Sequence, residues 1–127
     1  AAAVGLVQLK KLDKDLEIRR QNAALFQELF QDDRRFIIQT ENGKSSWFSF
    51  TMICKDRAPF LEKMTKASIQ YRMVCGGCLT EHPAASHYNF ETQGSLPTAK
   101  RIHHQGFFVG NCGRDLSEEL HLLKATL

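Results

Sequence analysis

Apolar residues recur with helical spacing through the first thirty positions of the chain. They stand three, four or seven residues apart, with charged side chains mostly between them, at Leu9, Leu12, Leu16, Ala23, Phe26 and Phe30. Because apolar side chains with this period share one face of a helix, the pattern predicts one amphipathic helix over residues 2–31. At about 1.5 Å per residue it would span about 45 Å, a length typical of an element that joins two bodies.

The start of this predicted helix is unusually poor in charge. The opening AAAVGLVQLKKL places almost no charged side chain on either face for two turns. We therefore expect this end to be buried against a part of the protein that the sequence does not contain. The alternative is an ordinary core helix of the same domain.

A β-hairpin is predicted directly after the helix. The β-rich segment FIIQT is followed by the turn sequence ENGK and by the returning strand SWFSFTMIC. In that strand, Phe48, Phe50 and Met52 are alternate residues. Since alternate side chains lie on one face of a strand, these three should cover the core. Trp47 is also interpreted as a core residue, in preference to an exposed stacking platform.

The rest of the sequence alternates short helices with short strands. These elements are predicted at 58–66 (helix), 69–74 (strand), from Pro97 (helix), at 107–109 (strand) and after Asp115 (helix). Ser95 is a candidate cap for the second helix, and Asp115 with Glu118 forms a capping-box-like pattern at the third. Together the elements predict an α+β fold, with one small antiparallel or mixed sheet of three to four strands covered by helices.

Length and composition indicate a single packed domain over residues 1–127. The chain is 43% hydrophobic and 24% charged, which does not favour disorder. A net charge of +3 gives no support to nucleic-acid binding. The apolar run Ala1 to Val7 is too short to span a membrane and lacks the basic start of a signal peptide, so a cytoplasmic location is predicted.

Cys75 and Cys78 form a C-x-x-C pair, which can hold zinc or exchange disulfides. The two glycines between them predict a loop, whereas a redox motif needs a helix N-terminus. Zinc would need two more ligands, but no second pair repeats the spacing. The candidates in sequence reach are His82, His87, His103, His104 and Cys112. The pattern therefore favours two incidental thiols over a metal site.

Arg72 and the glycines that follow it form a candidate binding site. Arg72 lies near the end of a predicted strand, where a guanidinium can be held for bidentate contact with phosphate or carboxylate. A surface salt bridge is the alternative. Gly76 and Gly77 permit close approach of a ligand to main-chain N–H groups. His103 and His104 point about 100° apart on a helix, so at most one serves a site, and a solvated pair near the helix end is favoured.

Three blocks of sequence give the chain a resemblance to a known family. Arg72, Gly76, Gly77, Thr80 and Pro83 match the pattern R-x-x-x-G-G-N-x-T-R-x-P, and GFFVGN occurs at 106–111. The first helix matches at Gln8, Leu9, Leu12, Arg19, Arg20 and Asn22. On these blocks the chain resembles the C-terminal small domain of the DegT/DnrJ/EryC1/StrS family of pyridoxal-phosphate enzymes. It departs from the pattern at Cys78, Glu81 and Cys112, all polar positions that bear on the choice of substrate.

The resemblance implies the C-terminal domain of a fold-type I pyridoxal-phosphate enzyme, a homodimeric aminotransferase or 3-dehydratase. Its substrates would be nucleotide-linked 4-keto-6-deoxy sugars of lipopolysaccharide or antibiotic biosynthesis. The cofactor would bind in an upstream domain, with a lysine for transamination or a histidine for dehydration. This chain alone would thus hold no catalytic residue and be inactive.

The same resemblance assigns substrate-binding residues within this chain. It places Arg72 and the loop that contains Gly76, Gly77, Thr80 and His82 against the nucleotide or phosphate, and Asn111 near the sugar. Two alternatives are a stand-alone binding or dimerisation domain built on the long helix and a small zinc-binding domain that uses Cys75 and Cys78.

Overall fold

The computed structural model describes residues 2–74 and 76–127, which form a helix-covered sheet. In chain order the elements are α1 (Ala2–Leu9), α2 (Leu12–Phe30), β1 (Ile37–Ile38), β2 (Ser49–Ile53), α3 (Ala58–Lys66), β3 (Arg72–Met73), α4 (Pro97–Gln105), β4 (Gly106–Gly110) and α5 (Ser117–Thr126). Two short 3-10 segments, Leu79–Glu81 and Pro83–His87, lie between β3 and α4. None of the described helices has the length and hydropathy needed to cross a membrane.

The sheet is antiparallel and has the strand order β1-β2-β4-β3. Ile37 pairs with Ile53, which pairs in turn with Gly106, and these residues mark one end of the sheet. At the middle, Phe108 pairs with Thr51 on one side and with Arg72 on the other. The predictions of an α+β class, of the hairpin and of a sheet of three to four strands are confirmed.

One aromatic core joins the helices to the sheet. Phe26 of α2 stacks on Phe50 of β2 with ring centroids 4.7 Å apart, and both side chains are fully buried. Phe107 of β4 and Leu120 and Leu123 of α5 belong to the same cluster. Because each full burial of such a side chain contributes about 1.5–3 kcal/mol, this cluster is the main source of stability.

The prediction of one continuous helix over 2–31 is wrong, because a turn at Lys10 and Lys11 divides it into α1 and α2. The N–H of Lys11 donates to Gln8 three residues earlier (3.0 Å), which tightens the end of α1. Asp13 and Asp15 then occupy the first turn of α2, where carboxylates favour a helix start. No side chain of α1 is buried in this domain, so packing does not hold the two helices in line.

Phe48 does not cover the core as the alternation predicted. Trp47 has a left-handed backbone (φ 46°), which shifts the phase of the alternation before β2 begins. The indole of Trp47 is therefore buried, as expected, whereas Phe48 is 74% exposed. Phe50 and Met52 are fully buried, in agreement with the prediction.

The later elements match the predictions in position but differ in their ends. Helix α3 and strand β4 lie where they were predicted, whereas the strand predicted at 69–74 is reduced to Arg72–Met73. Ser95 does not cap α4, which starts after Leu96 in a left-handed conformation. Asp115 accepts the N–H of Ser117 (2.9 Å). The capping box is absent from α5, because Leu116 is the N-cap residue and makes no side-chain cap bond.

Candidate functional site

The loop that follows β3 packs on helix α4. Gly76 and Gly77 both have left-handed backbones, with φ of 70° and 51°. A Cβ atom built on Gly77 would lie 2.4 Å from His103 Nδ1, so only glycine fits this close approach. Gly76 meets no such obstacle and needs glycine for its backbone angle alone.

Two histidines hold the loop in this shape. The N–H of Cys78 donates to His103 Nδ1 (3.3 Å), which requires that this ring nitrogen carries no proton. His82 Nε2 donates to the carbonyl of Gly76 at 2.6 Å, since a carbonyl can only accept. The two imidazole rings meet edge to face with centroids 5.4 Å apart. His103 was expected to be solvated, and instead it supports the loop.

Arg57 closes the base of a cleft beside the loop. Its Nη1 donates to the carbonyl oxygens of His103 and Gly106, each at 2.7 Å, which fixes the end of α4 against β4. The cleft has a volume of about 320 Å3, and its walls include Val74, Gly77, His82 and His103. The sequence did not reveal Arg57, because nothing around Pro59 indicates that the side chain two residues earlier contacts the end of α4.

Thr80 and Cys78 interact within the loop. The thiol of Cys78 is buried and lies 3.1 Å from the Thr80 hydroxyl. Cys75, the other half of the C-x-x-C pair, lies outside the described residues. Among residues 2–74 and 76–127, no three His, Cys, Asp or Glu side chains come close enough together to hold a metal ion.

Glu81, one of the departures from the family pattern, is paired rather than free. Its carboxylate lies 3.3 Å from His104 Nε2 and 3.5 Å from Lys100 Nζ. The hydrogen bond from His104, assisted by the charge of Lys100, lowers the pKa of this carboxyl. Its negative charge is therefore partly offset within the chain. His104 faces Glu81 while His103 faces Gly77, so the adjacent histidines diverge as expected.

Arg72 lies on the edge strand β3, and its side chain is exposed. It stands opposite Phe108, and exposed Phe48 contacts the same phenylalanine with ring centroids 6.3 Å apart. Within the described part of the chain Arg72 forms no salt bridge, so the alternative of a surface ion pair is not observed there. Its guanidinium is available to a ligand.

Asn111 lies at the opposite end of β4 from the loop. The five steps from Gly106 to Asn111 correspond to about 17 Å at about 3.4 Å per residue. Its Nδ2 donates to the carbonyls of Arg19 and Trp47 (3.0 Å each). The structure thus brings Gly76, Gly77, Thr80 and His82 together, with Arg72 on the preceding strand and Asn111 apart from them.

The described lysines do not offer a site for pyridoxal phosphate. All but Lys124 are exposed on the surface, and Lys124 donates to Asp33 at 2.6 Å. A lysine that binds this cofactor covalently needs a pocket that lowers its pKa and orients the ring. The described residues therefore do not fit the group.

Comparison with known proteins shows what this domain resembles. The model of the DegT/DnrJ/EryC1/StrS aminotransferase family matches residues 1–119. GDP-4-keto-6-deoxy-D-mannose 3-dehydratase of Yersinia pseudotuberculosis is 38% identical over 94% of this chain and 32% of its own length. The enzyme of the same name from Escherichia coli O55:H7 is 32% identical over 100% of this chain and 34% of its own.

Solved structures agree with the sequence matches. The E. coli 3-dehydratase with bound hydrated pyridoxal phosphate superposes with a TM-score of 0.89 and 32% identity, over 98% of this chain and 34% of that one. An aminotransferase of pseudoaminic acid biosynthesis from Helicobacter pylori superposes with a TM-score of 0.82 at 18% identity, which shows a shared fold. The chain therefore spans about a third of the length of the relatives it matches.

Proposed function

The chain belongs to the DegT/DnrJ/EryC1/StrS aminotransferase family, and we propose that it is the C-terminal domain of a pyridoxal-phosphate-dependent nucleotide-sugar 3-dehydratase. The observation that carries the proposal is the identity of 38% and 32% to two GDP-4-keto-6-deoxy-D-mannose 3-dehydratases over almost the whole chain. Lipopolysaccharide biosynthesis is the matching pathway, since a 27% identical relative from Salmonella typhimurium carries that name.

In this proposal the two parts of the protein would have separate roles, one in binding the cofactor and the other in binding the substrate. Pyridoxal phosphate would supply the electron sink for the reaction, and the remaining two thirds of the protein would bind it. This domain would contribute the wall that binds the nucleotide sugar and would be inactive alone. A cytoplasmic location and a homodimer remain predictions of the sequence and belong to the same proposal.

Arg72 and the loop from Gly76 to His82 are the proposed nucleotide-binding elements. The exposed guanidinium of Arg72 would bind phosphate oxygens, because its planar fork matches them in a bidentate geometry. The open backbone at Gly76 allows a ligand to approach main-chain N–H groups. Thr80 and His82 would shape the loop through their bonds to Cys78 and Gly76.

Asn111 has a different place in the proposal. Its amide nitrogen already bonds two carbonyls, and its Oδ1 accepts from Asn22, so it would position the end of β4 near the sugar with one lone pair left for a ligand. Cys112 follows it on the surface and would face the same region. Glu81, whose charge is partly offset by Lys100, would replace a basic contact of the family pattern with one of reduced negative charge.

A chimera tests the proposal. This chain would replace the aligned segment of the E. coli 3-dehydratase, and consumption of GDP-4-keto-6-deoxy-D-mannose would be measured. Loading with pyridoxal phosphate and far-UV circular dichroism would report folding. We expect dehydration to persist and Arg72→Gln to raise KM about tenfold or more, as loss of a charge-assisted contact predicts. Lys44→Gln, which removes an exposed cation elsewhere, is the matched control.

Two outcomes would contradict the proposal. A folded, cofactor-loaded chimera that leaves the substrate unchanged would reject the substrate class. A lysine at the reactive position of the upstream reading frame would reject the dehydratase assignment, because that residue decides between the two reactions. Sequencing the reading frame upstream of Ala1 adds an independent check, because about 250 further residues with a histidine in place of the reactive lysine are expected. A start codon at Ala1 would favour a stand-alone binding domain.

A further inference from the structure

A second cleft, at the end of the sheet where β1 begins and β2 ends, is lined by four cations. Arg34, Arg35, Lys55 and Arg101 surround a volume of about 370 Å3, and none of its lining residues is acidic. Its apolar wall includes Ile37, which is 50% exposed. None of these residues lines the cleft beside the Gly76–His82 loop.

Three of the four cations keep their charge available to a ligand. Arg35 is neutralised by a bidentate pair with Asp33, whose other contact is Lys124. Arg101 uses only its Nε, which donates to Gln105. Arg34 and Lys55 form no salt bridge among the residues that the structure describes.

The nearby carboxylates do not line this cleft. Asp33 is already shared by two cations, and Asp56 keeps its negative charge but is not part of the cleft wall. Cations that line a cleft with no acidic side chain in its wall raise the local positive potential, which attracts anions and falls with added salt. Guanidinium groups in addition present parallel N–H donors that match phosphate oxygens.

We propose that this cleft binds a phosphate-bearing anion at a site separate from the Gly76–His82 loop. The volume is within the range of small-ligand sites, and the charge of three cations suits a diphosphate. Two sources share this chemistry: the diphosphate of a nucleotide and free pyrophosphate. The inference rests on the cation cluster alone and does not depend on the proposed enzyme function.

The test is a titration of the 127-residue chain with pyrophosphate, by calorimetry at low salt. The variant Arg34→Gln/Arg101→Gln should weaken binding at least about tenfold, because the loss of a single charge-assisted contact to phosphate raises the dissociation constant about tenfold. Lys10→Gln/Lys14→Gln removes one charge from the turn after α1 and one from α2, and should leave affinity within about twofold. Thermal unfolding of each variant reports folding, and amide shifts of Cys54 and Gln105 on titration locate the ligand.

The proposal is overturned if pyrophosphate does not bind, or if both double variants weaken it equally, since diffuse charge would then suffice. A parallel titration with GDP separates the two sources. GDP binding that also depends on Arg34 and Arg101 assigns the cleft to a nucleotide diphosphate, and GDP binding that is unchanged assigns it to the free anion. Arg72→Gln should not alter pyrophosphate binding, so this result stands apart from that of the chimera.

Discussion

Asn22 of α2 and Asn111 after β4 are joined side chain to side chain, with Nδ2 of Asn22 3.1 Å from Oδ1 of Asn111. The same Nδ2 reaches the carbonyl of Arg114 (2.8 Å), and Oδ1 of Asn22 accepts the N–H of Leu116 (3.1 Å). Because Asn22 is buried, these bonds tie the first long helix to the start of α5 in a place that water does not reach.

Asn22→Ala should therefore be strongly destabilising. It would leave the N–H of Leu116 and the carbonyl of Arg114 unpaired, and each such buried group costs about 1–3 kcal/mol. We expect a loss of about 3 kcal/mol in the free energy of unfolding, measured by urea denaturation. Gln21→Ala, next to it but exposed and bonded only to Glu17, should change stability by less than about 0.5 kcal/mol. Equal effects would show that Asn22 has no special role.

Replacing glycine by alanine at positions 77 and 76 tests the loop, and the same change at Gly43, outside the loop, is the control. Gly77→Ala combines a left-handed backbone with a clash against His103, so we expect about 2 kcal/mol or more of destabilisation. Gly76→Ala meets only the backbone penalty, about 1 kcal/mol. A Cβ atom on Gly43 would meet only Glu41 Oε1, at an ordinary contact distance of 3.9 Å, and its φ is not left-handed, so Gly43→Ala should be near neutral.

Thermal unfolding gives the order of these three variants, and the His103 imidazole resonances report the loop directly. Those resonances should shift in Gly77→Ala and stay in place in Gly43→Ala. A Gly77→Ala variant as stable as Gly43→Ala would contradict the close packing of loop and helix.

The sequence located those elements that depend on local signals. Helix α3 and strand β4 follow from a proline at a helix start and from an apolar run, both of which act within a few residues. The break after Leu9 was missed, because periodicity does not register that α1 has no surface of this domain to pack against. Phe48 was misplaced, since one left-handed residue at Trp47 reverses the alternation.

Some residues of the candidate site could likewise be predicted from local sequence, and others could not. The glycines could be found from sequence, because positive φ restricts the residue type locally. Arg57 could not, since its role arises from carbonyl oxygens 46 and 49 residues further along the chain. His103 was visible in the sequence, but its contact with Gly77 depends on how α4 packs.

Asp33 should make stability depend on acid pH. Its side chain is 8% exposed, and the hydrogen bonds from Arg35, aided by Lys124, hold the pKa of its carboxyl well below the usual value. A carboxyl with a lowered pKa in the folded state stabilises the fold above its unfolded pKa, about 3.9, and this contribution is lost as pH falls below it. Stability should therefore decrease as the pH is lowered from about 5 towards 2.

Asp33→Asn removes this contribution and should lower the free energy of unfolding at pH 7 by about 2 kcal/mol. The slope of stability against pH below about 5 should flatten in the same variant. The neighbouring Asp32→Asn is the control, because Asp32 is exposed and forms no salt bridge among the described residues. Parallel slopes in Asp33→Asn and the unmodified chain would show that the ion pair is not formed in solution.

Zinc content tests the C-x-x-C pair. Only one half-site is present in the sequence, and the thiol of Cys78 is buried beside Thr80. We therefore expect well below one zinc per chain by elemental analysis of the purified protein, unchanged in Cys75→Ser. Stoichiometric zinc that is lost in Cys75→Ser would establish the metal-binding alternative.

Helix α1 should cause the isolated chain to self-associate. Val4, Leu6, Val7 and Leu9 are each more than half exposed, at 65%, 64%, 53% and 64%, and together form an apolar surface on one short helix. Covering a few hundred Å2 of such surface yields several kcal/mol at about 25 cal/mol per Å2, before the entropy cost of association.

Sedimentation at increasing concentration should thus show a dimer or larger species. Leu6→Glu/Leu9→Glu should give a folded monomer, since it places charge on the apolar surface of α1 and changes no buried residue. Gln8→Glu, which adds a charge to α1 without removing apolar area, should leave association largely intact. A strict monomer of the unmodified chain at about 100 μM, where an interface worth about 6 kcal/mol is half occupied, would reject this prediction.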